Sequence, residues 1–206
     1  MKPILLIGGG GHCRSCIDVI EAEGTYQIQG IVQPVSDGKE PVLGYPVLGC
    51  DDDLPYLLER ITCALVTVGQ IKSPAIRIKL YGTLKNNDAS LPVIVSPNAY
   101  KSGHASVAEG TILMHGSVVN ARARIGANCI INSQALIEHD AEIGPHCHIS
   151  TGARVNGGAK IGSGSFVGSG AVLKEGINLG ERVVIGAGQV ILHDVPDGTT
   201  VSGRND

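Results

Sequence analysis

Residues 123–162 read ARIGANCIINSQALIEHDAEIGPHCHISTGARVNGGAKIG, with an aliphatic residue at every sixth position. The same spacing continues without a slip over fifteen positions. These positions are Val107, Leu113, Val119, Ile125, Ile131, Ile137, Ile143, Ile149, Val155, Ile161, Val167, Leu173, Leu179, Ile185 and Ile191. A fixed period of this length is typical of a repeat architecture in which stacked units share one core.

A second series, four residues after the first, carries small side chains from Thr111 to Ala171. Six residues make a short strand and a corner, so three units are expected to close one triangular coil of eighteen residues. Aliphatic side chains would fill the prism, and coils would stack at about 4.8 Å. About five coils are expected between residues 104 and 192. Cys129 and Cys147, eighteen residues apart in the small slot, are predicted to be buried filler and not nucleophiles.

Several glycines share one further slot of the six-residue unit. They are Gly116, Gly152, Gly158, Gly164, Gly170 and Gly176. A tight corner between two flat strands needs backbone angles that glycine adopts without steric cost. These glycines are therefore predicted to form the corners of the prism.

The first 92 residues show a different rhythm, in which buried strands alternate with helices. Strands are predicted in residues 3–8, 27–33, 63–69 and 92–95, and helices in residues 12–24, 51–61 and 74–87. Connections of this length join parallel strands. The sequence therefore predicts a Rossmann-like α/β domain over residues 1–92 and a β-helix over residues 93–206.

Composition excludes several classes of protein. The net charge is −3 with no basic cluster, which argues against nucleic acid as a partner. The sequence contains no apolar run of about 18 residues, the length of a membrane span, and the short N-terminal apolar run is not typical of a signal peptide. Six cysteines in a chain of this kind indicate reduced thiols and a cytoplasmic protein. Cys13 and Cys16 form a lone CxxC pair, which predicts small residues at a helix start and no metal site.

Four glycines, residues 8–11, separate the first predicted strand from the first helix. A helix N-terminus behind such a loop presents free N–H groups to a phosphate. The dinucleotide fingerprint GxGxxG is incomplete because Cys13 occupies the third glycine position. The loop is therefore predicted to bind a phosphorylated ligand that is not a redox cofactor.

The segments IGGGGH (7–12), VTVG (66–69), EHD (138–140) and HCHIS (146–150), together with the six-residue repeat, resemble the hexapeptide-repeat acyltransferases. Within these, they resemble the sugar-nucleotide acetyltransferases that include bacillosamine and perosamine N-acetyltransferases and sialic acid O-acetyltransferases. The resemblance implies a left-handed β-helix, acetyl-CoA as co-substrate without a metal, and a sugar nucleotide as acceptor.

Acetyl transfer needs a base that takes a proton from the attacking amine or hydroxyl. His139 follows the inward-facing Ile137 by two residues and is expected to point away from the prism. A neighbouring carboxylate would fix the tautomer of its ring and raise the basicity of the free nitrogen. The resemblance assigns the base to His139 and its partner to Asp140. Glu138 remains an alternative partner, and a solvated corner histidine is the alternative interpretation of His139.

The resemblance also assigns acetyl-CoA contacts to His148, Ser169 and Ala187, whereas a packing role is the alternative for His148. Gly157 follows His139 by eighteen residues and is expected one coil below it. Its amide would donate to the developing oxyanion, unless it is only a corner glycine. His146 and His148 lack a third ligand nearby in sequence, which argues against a metal site.

Sugar-nucleotide contacts fall by resemblance on Gly10, Gly11, His12 and Gly69. Two departures from the family pattern leave details open. Gln33 and Pro34 replace an acidic pair at the end of the second strand, with Asp37 three residues later, so the nucleotide base is undetermined. The ending VSGRND (201–206) replaces a Gly-x-Pro-Ala pattern and leaves the adenine contacts undetermined.

Three functions are compatible with these residues. The first is N-acetylation of a 4-amino group on a nucleotide-linked sugar by direct attack on the thioester. The second is O-acetylation of a sialic-acid-type sugar. The third is sugar-nucleotide binding by a non-catalytic trimer. The paired His139 and Asp140 argue against the third. Because His148 lies half a coil from His139, one prism places them on different sides, and a homotrimer is predicted to bring them together across subunits.

Overall fold

The computed structural model describes residues 1–38 and 40–203. Its N-terminal part is a four-stranded parallel sheet in the order β3-β2-β1-β4. The strands are β1 (Lys2–Ile7), β2 (Tyr26–Val32), β3 (Val47–Gly49) and β4 (Cys63–Val66). The helices are α1 (Gly11–Glu23), α2 (Leu54–Leu58) and α3 (Ala75–Asn86), with 3₁₀ turns at Val35–Asp37 and Asp51–Asp53.

The continuous apolar run of β1 is buried on both faces, as expected for the central strand of a parallel sheet. Helix α1 is capped after Glu23 by Gly24, whose φ of 75° lets its N–H donate to the carbonyl of Ile20. Cys13 and Cys16 are buried on the inner side of α1, which confirms that they are packing residues.

The helix expected over residues 51–61 is present over residues 51–58, where the 3₁₀ turn Asp51–Asp53 continues directly into α2. The Asp53 carboxylate accepts from the Cys50 amide at 2.8 Å at the start of this segment. One sequence prediction for this part is wrong. The strand expected at 92–95 does not join the N-terminal sheet. It is β5 (Ile94–Val95), and it pairs with residues eighteen positions later, Ile112 and Leu113.

A left-handed parallel β-helix follows, built from two-residue strands. Its first nine strands are β5, β6 (Tyr100–Lys101), β7 (Ser106–Val107), β8 (Ile112–Leu113), β9 (Val118–Val119), β10 (Arg124–Ile125), β11 (Ile130–Ile131), β12 (Leu136–Ile137) and β13 (Glu142–Ile143). The remaining nine are β14 (His148–Ile149), β15 (Arg154–Val155), β16 (Lys160–Ile161), β17 (Phe166–Val167), β18 (Val172–Leu173), β19 (Asn178–Leu179), β20 (Val184–Ile185), β21 (Val190–Ile191) and β22 (Thr200–Val201).

These strands stack into three faces. The first face contains β5, β8, β11, β14, β17, β20 and β22; the second contains β6, β9, β12, β15, β18 and β21; the third contains β7, β10, β13, β16 and β19. Partners such as Ile137 and Val155 are eighteen residues apart, which confirms the coil length. The β-helix begins at β5, one coil before the aliphatic series that starts at Val107, and Lys101 occupies the aliphatic position in this first coil. The division between domains at residues 92 and 93 stays a prediction.

The interior follows the two sequence series. Cys129 and Cys147 are fully buried, as are the other small residues of their slot from Thr111 to Ala171. The six predicted corner glycines have φ between 66° and 73°. Glycine is not required at every corner, however, since the same slot holds six other residues with φ between 53° and 62°. These are Arg122, Asn128, Gln134, Asp140, His146 and Arg182.

The outward residues differ among the faces. On the first face, Ile94, Ile112 and Ile130 pack in one buried cluster with residues of α1. The second face presents mainly apolar side chains, from the exposed Tyr100 to the exposed Val190. The third face carries charged side chains, including Arg124, Glu142 and Lys160, which form an ion-pair ladder with N···O distances of 2.7 and 3.5 Å.

Polar contacts join the N-terminal domain to the β-helix, and they are buried at Arg77 and exposed between His115 and Asp18. The guanidinium of Arg77 donates to the backbone oxygen of Val66 at 2.9 Å and to the side-chain oxygen of Asn128 at 2.7 Å. His115 bridges Ser96 at 2.6 Å and Asp18 of α1 at 2.8 Å. None of the described helices has the length and apolar character needed to cross a bilayer.

Candidate active site

His139 lies on the edge between the second and third faces, between β12 and β13. Its side chain is 66% exposed, and its Nδ1 is 2.9 Å from Asp140 Oδ2. The other carboxylate oxygen of Asp140 pairs with Arg122 Nε at 2.9 Å. The hydrogen bond from His139, assisted by Arg122, lowers the pKa of Asp140. Because an ionised carboxylate only accepts, Nδ1 of His139 carries the proton and Nε2 presents a lone pair.

Glu138 has a different role in this structure. Its Oε2 accepts a hydrogen bond from the Asn120 amide at 2.9 Å and one from the His139 backbone N–H at 3.2 Å. Glu138 therefore holds the backbone of the edge, and Asp140 is the carboxylate that contacts the ring.

Gly157 lies directly beneath the imidazole of His139, one coil further along the β-helix. A Cβ at position 157 would lie 2.8 Å from both Cε1 and Nε2 of that ring. Real Cβ atoms do not make contacts this short, so an alanine would displace the ring. His139, Asp140 and Gly157 thus form one cluster, which we call the edge cluster.

A second group of predicted residues lines a cavity of about 540 Å³ where the N-terminal domain meets the first face. Gly11, His12 and Gly69 come from the N-terminal domain, and His148 comes from β14. We call this space the acceptor cavity. Gly10 and Gly11 have no neighbouring atom within 4 Å of an added Cβ, so the glycine loop is open to a ligand on this side.

His148 is 7% exposed and is held through both ring nitrogens. Nδ1 lies 2.6 Å from the backbone oxygen of Gln70, which can only accept, so this nitrogen donates. Nε2 therefore accepts from the Asn132 side-chain amide at 3.1 Å. Asn132 is itself oriented by the amide N–H of Ser133 at 2.8 Å. Burial lowers the pKa of His148 to about 4, so the ring is neutral at physiological pH.

His12 faces His148 with their ring centroids 6.3 Å apart. Burial, with smaller contributions from the positive charge of Arg77 and from His148, lowers the pKa of His12 to about 3. Its Nε2 is 3.4 Å from the Cys16 Sγ. Both histidines of the acceptor cavity are therefore neutral at physiological pH.

Ser169 and Ala187 line a further cavity, of about 560 Å³, lower on the first face. Phe166 and Lys72 line it as well, and Ile71 lines both this cavity and the acceptor cavity. We call it the carrier cavity. The ring of Phe166 meets the ring of His148 edge-on, with centroids 5.2 Å apart, so the two cavities adjoin at this pair.

On the other side of the glycine loop is a cavity of about 530 Å³ lined by Gly10, Arg14, Gln33 and Asp37, among others. Gln33 is buried, and its amide donates to the backbone oxygens of Asp37 at 3.3 Å and Gly38 at 3.1 Å. Its Oε1 lies where a Cβ on Gly9 would be. Gln33 therefore braces the glycine loop at the place where the resemblance expects an acidic residue.

The structure does not bring all the predicted residues together. The edge cluster lies opposite the first face, whose strand β14 carries His148, whereas Ser169 and Ala187 lie on the edge between the first and second faces. In a triangular prism, an edge and the face opposite to it are separated by the whole core. Gly157 therefore cannot share one site with His148 inside a single chain.

Sequence reasoning missed several residues of these cavities, namely Arg14, Gln70, Ile71, Lys72 and Asn132. Arg14 could have been predicted from the sequence, since it is a cation in the first turn of the helix that follows the glycine loop. Residues 70–72 could not, because nothing local predicts that this loop lies against the β-helix. Arg204, Asn205 and Asp206 of the atypical ending lie outside the described residues. In the described part of the chain, no group of three or more His, Cys, Asp or Glu side chains is placed to hold a metal ion.

Comparison with protein families matches residues 3–84 to the PglD N-terminal domain. Residues 122–157 and 140–175 match the bacterial transferase hexapeptide family, and residues 158–193 match the hexapeptide repeat of succinyl-transferase. Comparison with curated protein sequences finds no match.

Among solved structures, a mutant perosamine N-acetyltransferase from Caulobacter crescentus in complex with CoA and GDP-perosamine is 32% identical, with a TM-score of 0.92 over 98% of this chain and 94% of that chain. The acetyltransferase domain of PglB from Neisseria gonorrhoeae, in complex with acetyl coenzyme A, is 32% identical, with a TM-score of 0.91 over 98% of this chain and 96% of that chain. WeeI from Acinetobacter baumannii shares the fold at 21% identity, with a TM-score of 0.84 over 98% of this chain and 97% of that chain.

Proposed function

Because this chain belongs to the sugar-nucleotide N-acetyltransferases that join a PglD N-terminal domain to hexapeptide repeats, we propose that it acetylates the 4-amino group of a nucleotide-linked sugar from acetyl-CoA. The observation that carries this proposal is the edge cluster, an exposed imidazole whose one nitrogen is occupied by a carboxylate and whose other nitrogen is free. We propose a cytoplasmic location, in line with six free cysteines.

The chemical step uses His139 as the general base. The acceptor amine attacks the thioester carbon while Nε2 of His139 takes the proton that the nitrogen loses. The C–N bond forms, the C–S bond breaks, and the CoA thiolate leaves and recovers the proton from the imidazolium. Asp140 stabilises that imidazolium through Nδ1. The Gly157 amide, beneath the ring, is the proposed donor to the oxyanion.

The two ligands are assigned to separate surfaces. The sugar nucleotide lies over the glycine loop, with its phosphates at the N-terminus of α1 and Arg14 beside them. Gly10, Gly11, His12 and Gly69 contact it, and its sugar enters the acceptor cavity. Acetyl-CoA lies in the carrier cavity along Ser169 and Ala187, with its thioester near His148.

This assignment requires more than one copy of the chain, and we propose a homotrimer. The base and the ligand cavities lie on opposite sides of one prism, so His139 must come from a second copy. The apolar second face, with Tyr100 and Val190 exposed, supplies a surface for such packing. It joins the edge that carries His139 to the edge that carries Ser169 and Ala187. When three prisms turn the second face toward a common axis, the edge of one copy that carries His139 lies against the edge of the next copy that carries Ser169 and Ala187.

Subunit complementation tests the shared site. Gly11→Val obstructs the glycine loop and His139→Ala removes the base, so each homotrimer should be nearly inactive. In trimers reassembled from an equal mixture, about a quarter of the sites combine an intact loop with an intact base. Recovery of a comparable fraction of wild-type turnover is expected. A mixture that stays as inactive as its parents would contradict a site shared between copies.

Binding measurements test the assignment of the glycine loop. A Cβ at Gly11 enters the space proposed for phosphate, so Gly11→Val should weaken binding of GDP-perosamine and leave the Kd of acetyl-CoA nearly unchanged. Calorimetric titration of each ligand into the variant measures both. Equal weakening of the two ligands, or tight binding of NAD by the wild type, would refute the assignment.

A panel of UDP-, GDP- and CMP-linked amino sugars identifies the acceptor by acetyl-CoA turnover. An amine acceptor must be deprotonated to attack, so kcat/KM should rise with pH more steeply than with an alcohol acceptor. Turnover of sialic-type hydroxyls with a shallow pH profile would indicate the O-acetyltransferase instead. A thermal shift with the sugar nucleotide but none with acetyl-CoA would indicate a non-catalytic trimer.

A further inference from the structure

The loop of residues 69–74 belongs to the connection between β4 and α3 and lies against the first face of the β-helix. The backbone oxygen of Gln70 accepts from His148 at 2.6 Å, and the Gln70 side-chain amide donates to the backbone oxygen of Gly164 at 3.2 Å. Pro74 packs beside Gly164, so close that a Cβ there would lie 2.9 Å from its ring. The loop is therefore fixed to the β-helix on both sides of Ile71.

Ile71 is held at the boundary of two cavities. Its side chain is 63% exposed, although it is large and apolar. It lines the acceptor cavity together with His12 and His148, and it lines the carrier cavity together with Phe166 and Ser169. Because the Ile71 side chain lines both cavities, it lies where any group that extends from the carrier cavity into the acceptor cavity must pass.

The chemistry of this junction suits a small apolar group. His148 and Phe166 form its wall on the β-helix side, with ring centroids 5.2 Å apart, and the imidazole is neutral with both nitrogens engaged. The aliphatic side chain of Ile71 closes the N-terminal side. The side chains of His148, Phe166 and Ile71 therefore offer an acyl group an uncharged surface at the junction, and Lys72 lines the carrier cavity beside it.

We propose that Ile71 determines the length of the acyl group that the enzyme transfers. This inference rests on the proposed function, since the thioester carbon and the acceptor nitrogen must meet where the carrier and acceptor cavities join. The acetyl methyl group then packs against Ile71, and each further methylene competes with the Ile71 side chain for the same space. Ile71 acts by excluding longer acyl groups and takes no part in proton transfer.

The test compares acetyl-, propionyl- and butyryl-CoA as donors, with GDP-perosamine as the acceptor. For Ile71→Ala, the ratio of kcat/KM for acetyl-CoA to that for propionyl-CoA should fall about tenfold, the lower end of the discrimination that one methylene provides in an apolar pocket. Ile71→Val should produce a smaller change in the same direction, and Ile71→Phe should raise the ratio.

Ile76→Ala is the matched control, because Ile76 is equally exposed at 62% and lines neither cavity. Calorimetric titration of the three acyl-CoAs without acceptor should show the same order of preference in Kd. An acetyl-to-propionyl ratio in Ile71→Ala equal to that of the wild type would refute the role of Ile71 while leaving the acetyltransferase assignment intact. A wild type that transfers no acetyl group to any of the UDP-, GDP- and CMP-linked amino sugars would refute the proposed function itself.

Discussion

His139 and His148 lie nine residues apart on the same β-helix, yet their surroundings differ in every respect that matters for proton transfer. His139 is on an edge, is 66% exposed at its side chain, and is paired with the carboxylate of Asp140. His148 is on the first face, is 7% exposed, and is held between a backbone oxygen and a side-chain amide. A paired, exposed imidazole can exchange a proton with a substrate, whereas a buried neutral one can only position its neighbours. The difference comes from what covers each residue, because both side chains point out of the prism.

The largest expected effect is a loss of kcat when His139, and not His148, is the base that is removed. His139→Ala should reduce kcat by ~10²–10⁴, the usual contribution of a general base, because no other group of the edge cluster can take the proton. The free energy of unfolding should change by less than ~0.5 kcal/mol, as for an exposed side chain. His104→Ala, an exposed histidine on the same edge, is the control. If His139→Ala retained wild-type turnover, the base would lie elsewhere.

The next largest loss of kcat is expected when the His139 ring is displaced from its position. In Gly157→Ala, the new methyl group would lie 2.8 Å from the His139 ring, which must therefore shift. A displacement of about 1 Å in a reacting group costs up to ~10²-fold in rate, so kcat should fall by about that factor while the KM for acetyl-CoA changes less. Gly103→Ala, on the same edge with nothing within 4 Å of the added Cβ, should be nearly silent. Equal activities of the two variants would show that Gly157 does not position the ring.

The carboxylate partner is expected to matter less than the base. Asp140→Asn keeps the shape of the side chain and tolerates the φ of 61° at this corner, but removes the charge that supports the imidazolium. The loss in kcat should be about tenfold, below the ~10²–10⁴ expected for removing the base itself. Glu138→Gln measures the competing assignment. If it caused the greater loss, Glu138 and not Asp140 would be the partner of His139 during the reaction.

The smallest effect concerns stability and isolates the two histidines of the acceptor cavity. His148 and His12 have pKa values lowered from 6.5 to about 4 and about 3 in the folded chain, so below pH 6.5 the unfolded chain binds more protons. Stability is therefore fully present above pH 6.5 and is lost as the pH falls toward the folded pKa values, by up to about 1.4 kcal/mol per pH unit for each histidine. Urea unfolding between pH 7 and pH 5 measures this slope, which His148→Gln should make shallower. A slope that His148→Gln leaves unchanged would show that His148 is not buried in its neutral form.

Much of the fold could be predicted from the sequence because the repeat is a local property. Val107 to Ile191 mark the interior at every sixth position, and each inward residue occupies the same geometry as the one eighteen positions earlier. The exposed position of His139 and the location of Gly157 beneath it follow from that register. The first coil, which begins at β5, lies outside this series because Lys101 occupies its aliphatic position.

The tertiary structure alone decides which of the three faces is covered. A period of six distinguishes inward from outward residues, but it treats all three faces alike. The choice is made by contacts between residues far apart in the chain, such as Arg77 with Asn128 and Asp18 with His115. These contacts hold the N-terminal domain on the first face, bury His148 beneath the loop of residues 69–74, and leave His139 exposed on the opposite edge. Such contacts cannot be predicted from local sequence, because they stabilise the protein only when both segments are folded and adjacent.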